Sequence, residues 1–192
     1  MTGTRLSKKE LLSGYTDFLD LFKNWKYKFL IFWGTLLGYS RNYNFIDNDD
    51  DIDLVIMRDE LDDFLKFIDN NKEKIGSKFF FDYDKNIDMN ILNNFKDKDF
   101  IKFISKINKV NIDIYIMDKY NALNHAILWD KYLIPTNTLF PLKKVNYFGY
   151  EILIPEKHEE ISRLSYGNNW KIPNDKKQYK FDNITYLKKI YK

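Results

Sequence analysis

An α/β domain, with helices packed against a small mixed β-sheet, is the fold class this sequence predicts, and three observations carry the prediction. Leu11, Leu12, Tyr15, Phe18, Leu19, Phe22 and Trp25 recur at steps of three and four, the apolar stripe of an amphipathic helix. Asp51-Ile52-Asp53-Leu54-Val55-Ile56-Met57 reads as a strand, with Ile52, Leu54 and Ile56 on one face and Asp51 and Asp53 on the other. Around these segments the apolar pattern alternates strand, helix, strand, helix and then continues as a run of strands.

The elements follow in order. The first stripe predicts a helix over residues 7–25 that packs on a core; basic residues flank it, so a peripheral membrane contact is compatible, but Asp17 and Asp20 dilute the basic face. Residues 28–33 read as a short buried strand, ended by Gly34-Thr35, and residues 36–41 as a short helix whose N-terminus offers backbone N–H groups to an anion. The strand over 51–57 is followed by a helix over 59–70 with Leu61, Phe64, Leu65 and Ile68 on one side. Residues 78–83, 88–92, 100–105 and 110–117 read as strands divided by turns rich in Asn, Asp and Lys. In the last of them Ile112, Ile114 and Ile116 share a face, leaving Asp113 and Tyr115 on the opposite one. A short helix over 122–132, a turn through Pro135 and Pro141, a hairpin of 144–147 with 150–154 across Phe148-Gly149, and a helix over 156–166 complete the pattern.

Composition narrows the chemistry. The chain has 192 residues, 44% of them hydrophobic, enough for one domain with its own core. A formal net charge of +3 arises from intermixed signs and leaves no concentrated nucleic-acid footprint, so nucleic acid is not an expected partner. The absence of cysteine excludes disulfides, thiolate metal sites and cysteine nucleophiles, and fits a reducing, cytoplasmic setting. The longest apolar run, residues 29–33, is too short to span a bilayer, and no signal-like stretch follows Met1, so a soluble chain without a transmembrane segment is expected.

The chemistry concentrates around residues 34–53. Like charges on Asp51 and Asp53, side by side at a strand edge, repel unless a cation neutralises them, and hard ions such as Mg2+ are held by one or two carboxylates together with substrate phosphates. Asp49 and Asp50 extend the acidic run, and Asp113 supplies a third strand-borne carboxylate. Gly34 and Thr35 stand where a phosphate could sit, though a turn glycine and a helix cap are their ordinary uses. Arg41 suits a bidentate phosphate clamp. Lys102, Lys106 and Lys143 could touch phosphate as well, but in so lysine-rich a chain a plain surface role takes precedence, and His125 and His158 read as structural.

Trp33-Gly34-Thr35-Leu36-Leu37-Gly38, Arg41, Phe45-Ile46 and Asp49-Asp50-Asp51-Ile52-Asp53 together resemble the signature of the LicD/fukutin family within the nucleotidyltransferase-fold superfamily. Leu139-Phe140-Pro141-Leu142-Lys143, Phe148-Gly149-Tyr150, Ile154-Pro155 and Tyr166-Gly167-Asn168-Asn169-Trp170 with Pro173 resemble its C-terminal motifs, and Asp47-Asn48 departs from the Pro-Trp usual there. The resemblance covers residues 27–173, the catalytic domain, so the chain reads as three parts, with 1–26 a helix packed on the core and 174–192 a polar basic extension. It also implies transfer of a phospho-substituent, such as phosphocholine or ribitol phosphate, from a CDP-linked donor to a sugar hydroxyl of a glycan or glycolipid. Asp51 and Asp53, with Asp49 in support, would hold Mg2+ or Mn2+, and Asp113 would complete the metal shell or act as general base. Transfer of a nucleoside monophosphate to a small molecule or protein, and a non-catalytic nucleotide-binding module, are the alternatives.

Overall fold

Ser7 opens the first helix with a reciprocal cap: its hydroxyl accepts from the Glu10 backbone N–H at 3.2 Å, and the Glu10 carboxylate accepts from the Ser7 N–H at 2.8 Å. From there α1 (Lys8–Leu21) buries Leu11, Tyr15, Phe18 and Leu19, as the stripe requires. It ends earlier than its periodicity suggests, because Phe22 caps it and Trp25 is buried from the following loop. Phe22 stacks on Phe18 and Phe64 with centroids 4.5 and 5.4 Å apart, so the aromatic stripe continues into the core after the helix has stopped.

The computed structural model describes residues 6–81, 100–120, 124–128 and 132–173. The strand expected over 88–92 and the extension over 174–192 lie outside them. After α1 come β1 (Leu30–Ile31), α2 (Trp33–Asn42), β2 (Asp51–Met57), α3 (Leu61–Asn70) and α4 (Lys72–Lys78). The chain continues through β3 (Phe79–Phe81), β4 (Phe100–Ser105), β5 (Asn111–Tyr120), β6 (His125–Leu128), β7 (Tyr132–Pro135) and α5 (Thr136–Leu139). It closes with β8 (Leu142–Tyr147), β9 (Tyr150–Pro155) and α6 (His158–Tyr166).

The sheet runs β3-β4-β5-β2-β1-β9-β8, with β6 paired to the far part of β5 and β7 paired to β6. It is mixed as expected, since β2 lies parallel to β5 and β1 parallel to β9 while β1–β2 and β4–β5 are antiparallel. It is not small: nine strands join it among the described residues. Ile52, Leu54, Ile112, Ile114 and Phe103 are buried on the face that receives Phe18 and Phe22. α2 packs on β2 and on α6, and α5 packs on α6 beside it.

Two expectations of local structure are corrected, and one helix was not expected. Residues 122–132, read as a short helix, instead contribute β6, whose Ala126 and Leu128 are fully buried; β5 runs on to Tyr120 and offers an edge, and pairing overrides the weak local pattern. The strand expected over 28–33 keeps only Leu30 and Ile31, because Trp33 already begins α2. Residues 72–78 form α4, invisible to periodicity because Ile75 is the residue it buries. No helix among the described residues is long and apolar enough to cross a membrane.

Candidate active site

Strand register assembles the site. Lys102 on β4 lies opposite Asp113 on β5, and Asp113 lies opposite Asp53 on β2, so three charged residues stand in one row across three strands. Cross-strand partners share a face and neighbouring strands lie about 4.8 Å apart. The row above holds Asn111 opposite Asp51, and the row below holds Tyr115 opposite Val55. Asp53 and Asp113 are each only 4% exposed.

Asp53 is fixed from two sides by α2. The Gly34 backbone N–H donates to its Oδ2 at 2.8 Å, and the Asp53 N–H donates to Thr35 Oγ1 at 2.9 Å. Gly34 therefore orients the Asp53 carboxylate and Thr35 its backbone. The fit is close, since a Cβ on Gly34 would stand 2.7 Å from Asp49 Oδ2 and 3.2 Å from Asp53 Oδ2. Trp33, immediately before it, has φ of 40°, a left-handed backbone that a bulky residue adopts at a cost of about 1–3 kcal/mol, concentrated here where the helix meets the carboxylates.

Burial raises the Asp53 carboxyl well above its usual range, and the charges of Asp51, Asp49 and Asp113 push it the same way, opposed in part by the Gly34 N–H. Tyr115 is also held far above its ordinary value, first by burial and then by Asp53, Asp113 and Asp51, so it stays protonated and hydrogen-bonds Asp53. Carboxylate oxygens of Asp49, Asp50 and Asp51 lie within 4.8 Å of one another. This oxygen-only set, backed by a carboxyl whose charged form burial and its acidic neighbours disfavour, fits a hard divalent cation, whose charge would relieve the repulsion.

Arg41 is placed elsewhere. It sits in the last turn of α2, seven residues and about 10 Å along the axis from Gly34. Its Nε donates to the Trp170 carbonyl at 2.6 Å and an Nη to the Ile172 carbonyl at 3.2 Å, so its guanidinium ties the segment after α6 to α2. His158 meets Ser40 Oγ at 2.9 Å on the same interface, and burial lowers its pKa. Two residues at the site were passed over in the sequence: Lys102, whose ammonium lies 3.3 Å from Asp113 Oδ1, and Tyr115. Their signal was the alternation of β4 and β5, which puts both on the face of Asp113, but register was needed to align them.

Gly34→Ala is expected to lower divalent-ion affinity about 10- to 100-fold, the range seen when residues supporting a metal set are changed. The added methyl must displace Asp49 and Asp53. Calorimetric titration of Mn2+ checks it, and wild-type affinity would show that the close approach has no bearing on the carboxylates.

A mixed sheet thus sets the acidic start of β2 against the Gly-Thr start of α2. The chain belongs to the LicD/FKTN/FKRP family, whose nucleotidyltransferase-domain model matches residues 26–157. Comparison with curated proteins gives no match.

Proposed function

We propose that this protein transfers a phospho-substituent, such as phosphocholine or an alditol phosphate, from a CDP-activated donor to a sugar hydroxyl of a glycan or glycolipid. The observation that supports this most is the buried row of Asp53 and Asp113 beside the Asp49–Asp51 group, in a chain of the LicD/FKTN/FKRP family. Asp51 and Asp53, with Asp49, would hold Mg2+ or Mn2+. When bound, the ion neutralises the donor diphosphate and favours in-line displacement.

The chain's own residues do the rest. Gly34 and Thr35 fix the Asp53 carboxylate and backbone, and Tyr115 hydrogen-bonds its side chain. Asp113, on the neighbouring strand and outside the tight Asp49–Asp51 group, takes the proton of the acceptor hydroxyl as its oxygen bonds to phosphorus. The P–O bond to CMP breaks in the same displacement, and CMP leaves.

A thermal-shift screen of CDP-choline, CDP-ribitol, CDP-glycerol and nucleoside triphosphates, each with Mg2+ and with EDTA, tests the reading. A true donor at one hundred times its dissociation constant raises apparent stability by about 2.7 kcal/mol. The expected result is a shift for one CDP compound that EDTA abolishes, followed by release of CMP when an acceptor is supplied. Shifts by nucleoside triphosphates alone would favour nucleotidyl transfer, and no shift by any nucleotide would favour a non-catalytic module.

A further inference from the structure

Every acidic group brought to the site adds negative charge, and a diphosphate donor adds more. Asp49, Asp51, Asp53 and Asp113 converge there, while Lys102 holds an ion pair with one of them, its Nζ 3.3 Å from Asp113 Oδ1. Lys102 is not a plain surface lysine: its side chain is 23% exposed and that of Asp113 is 6% exposed. It stands in the row of Asp113 and Asp53, and its ammonium also lies 5.7 Å from the centre of the Phe100 ring, two residues earlier on the same strand face.

From this placement we propose that Lys102 binds the diphosphate of the donor, moving from Asp113 to a phosphate oxygen when the donor arrives. The inference rests on the phosphotransfer reading above. A lysine suits the task, because its compact charge on a four-carbon stem can change partners without moving the strand that carries it. The exchange has a second consequence. Asp113 loses its cation as the donor binds and becomes available to the acceptor hydroxyl, so proton abstraction is coupled to an occupied donor site. No bond is made or broken in the exchange; one ion pair replaces another.

The test uses the full chain as wild type, Lys102→Met and Lys102→Arg, titrated calorimetrically with Mg2+ alone, with pyrophosphate plus Mg2+ and with CDP plus Mg2+. Lys102→Met is expected to weaken both phosphate probes about 10- to 100-fold, the range of one charge-assisted hydrogen bond, while Mg2+ alone binds as well as before or better. Lys102→Arg, which keeps the charge, should restore most of the loss. If Lys102→Met lowers the melting temperature but binds both probes as wild type does, Lys102 is only a structural counter-ion and the proposal is overturned. If the wild type itself binds neither probe with Mg2+, the phosphotransfer reading fails first and the role of Lys102 fails with it.

Discussion

Asp53→Asn is expected to lower turnover by more than about 10²-fold while the metal-free protein melts at or above the wild-type temperature. The rate bound is set by metal sites in which changes to supporting residues alone cost as much. The stability change follows from the charge environment. In the folded protein burial, together with Asp51, Asp49 and Asp113, raises the Asp53 carboxyl above its ordinary 3.8. The folded state therefore holds the proton more tightly than the unfolded chain does. Stability from this group is complete below pH 3.8 and is lost as pH rises through the folded value. Asparagine carries no charge at any pH, and its amide oxygen can still accept the Gly34 N–H, so the variant avoids that loss. Melting curves in EDTA between pH 4 and 8 should separate with rising pH, wild type falling further. Added Mg2+ should raise the wild-type melting temperature and leave the variant nearly unmoved. A variant with full activity, or one stabilised by Mg2+ as strongly as wild type, would remove Asp53 from the metal set.

Gly38→Ala is expected to cost about 3 kcal/mol, the upper end for overpacking a filled interior. A Cβ at this position would collide with the Asn44 carbonyl and stand 3.0 Å from the Ile46 nitrogen and 3.1 Å from the Phe45 carbonyl carbon. All three are backbone atoms, which cannot swing aside as a side chain can. They are held there because α2 ends in a left-handed Tyr43 at φ 57°, and the Asn44 N–H turns back onto the Gly38 carbonyl at 3.3 Å. That return carries the chain toward Asp49 and Asp51, so the variant should also loosen the acidic loop. Gly76→Ala is the control: nothing lies within 4 Å of its Cβ, and removing a helix glycine should stabilise by about 0.5–1 kcal/mol. Denaturant midpoints decide it, and similar values for the two variants would mean that the turn at Asn44 yields easily.

The strand over Asp51–Met57, the helix that follows it and the hairpin across Phe148-Gly149 were legible because each has a local cause. Acidic residues alternating with apolar ones and then a short apolar run mark the first, a one-sided apolar stripe the second, and a two-residue turn with φ of 51° and 90° the third. Residues 125–128 were not legible, since what makes them a strand is the extended edge of β5, which the local pattern does not contain. The partners of Arg41 were not legible for a similar reason. Guanidinium chemistry fits a phosphate as well as it fits carbonyl oxygens, and only the chain returning past Trp170 supplies the carbonyls.

By itself the sequence determined the acidic start of the strand, the faces of Asp51, Asp53 and Asp113, and the glycine-threonine start of the helix beside them, because residue type and a period of two are local properties. Tertiary structure alone decided that Asp53 and Asp113 are partners, that Lys102 completes their row, and that Gly34 and Thr35 hold the carboxylate and the backbone of Asp53. Register and the approach of a helix to a strand join residues 11 to 60 positions apart, and such pairings are set by packing the whole core.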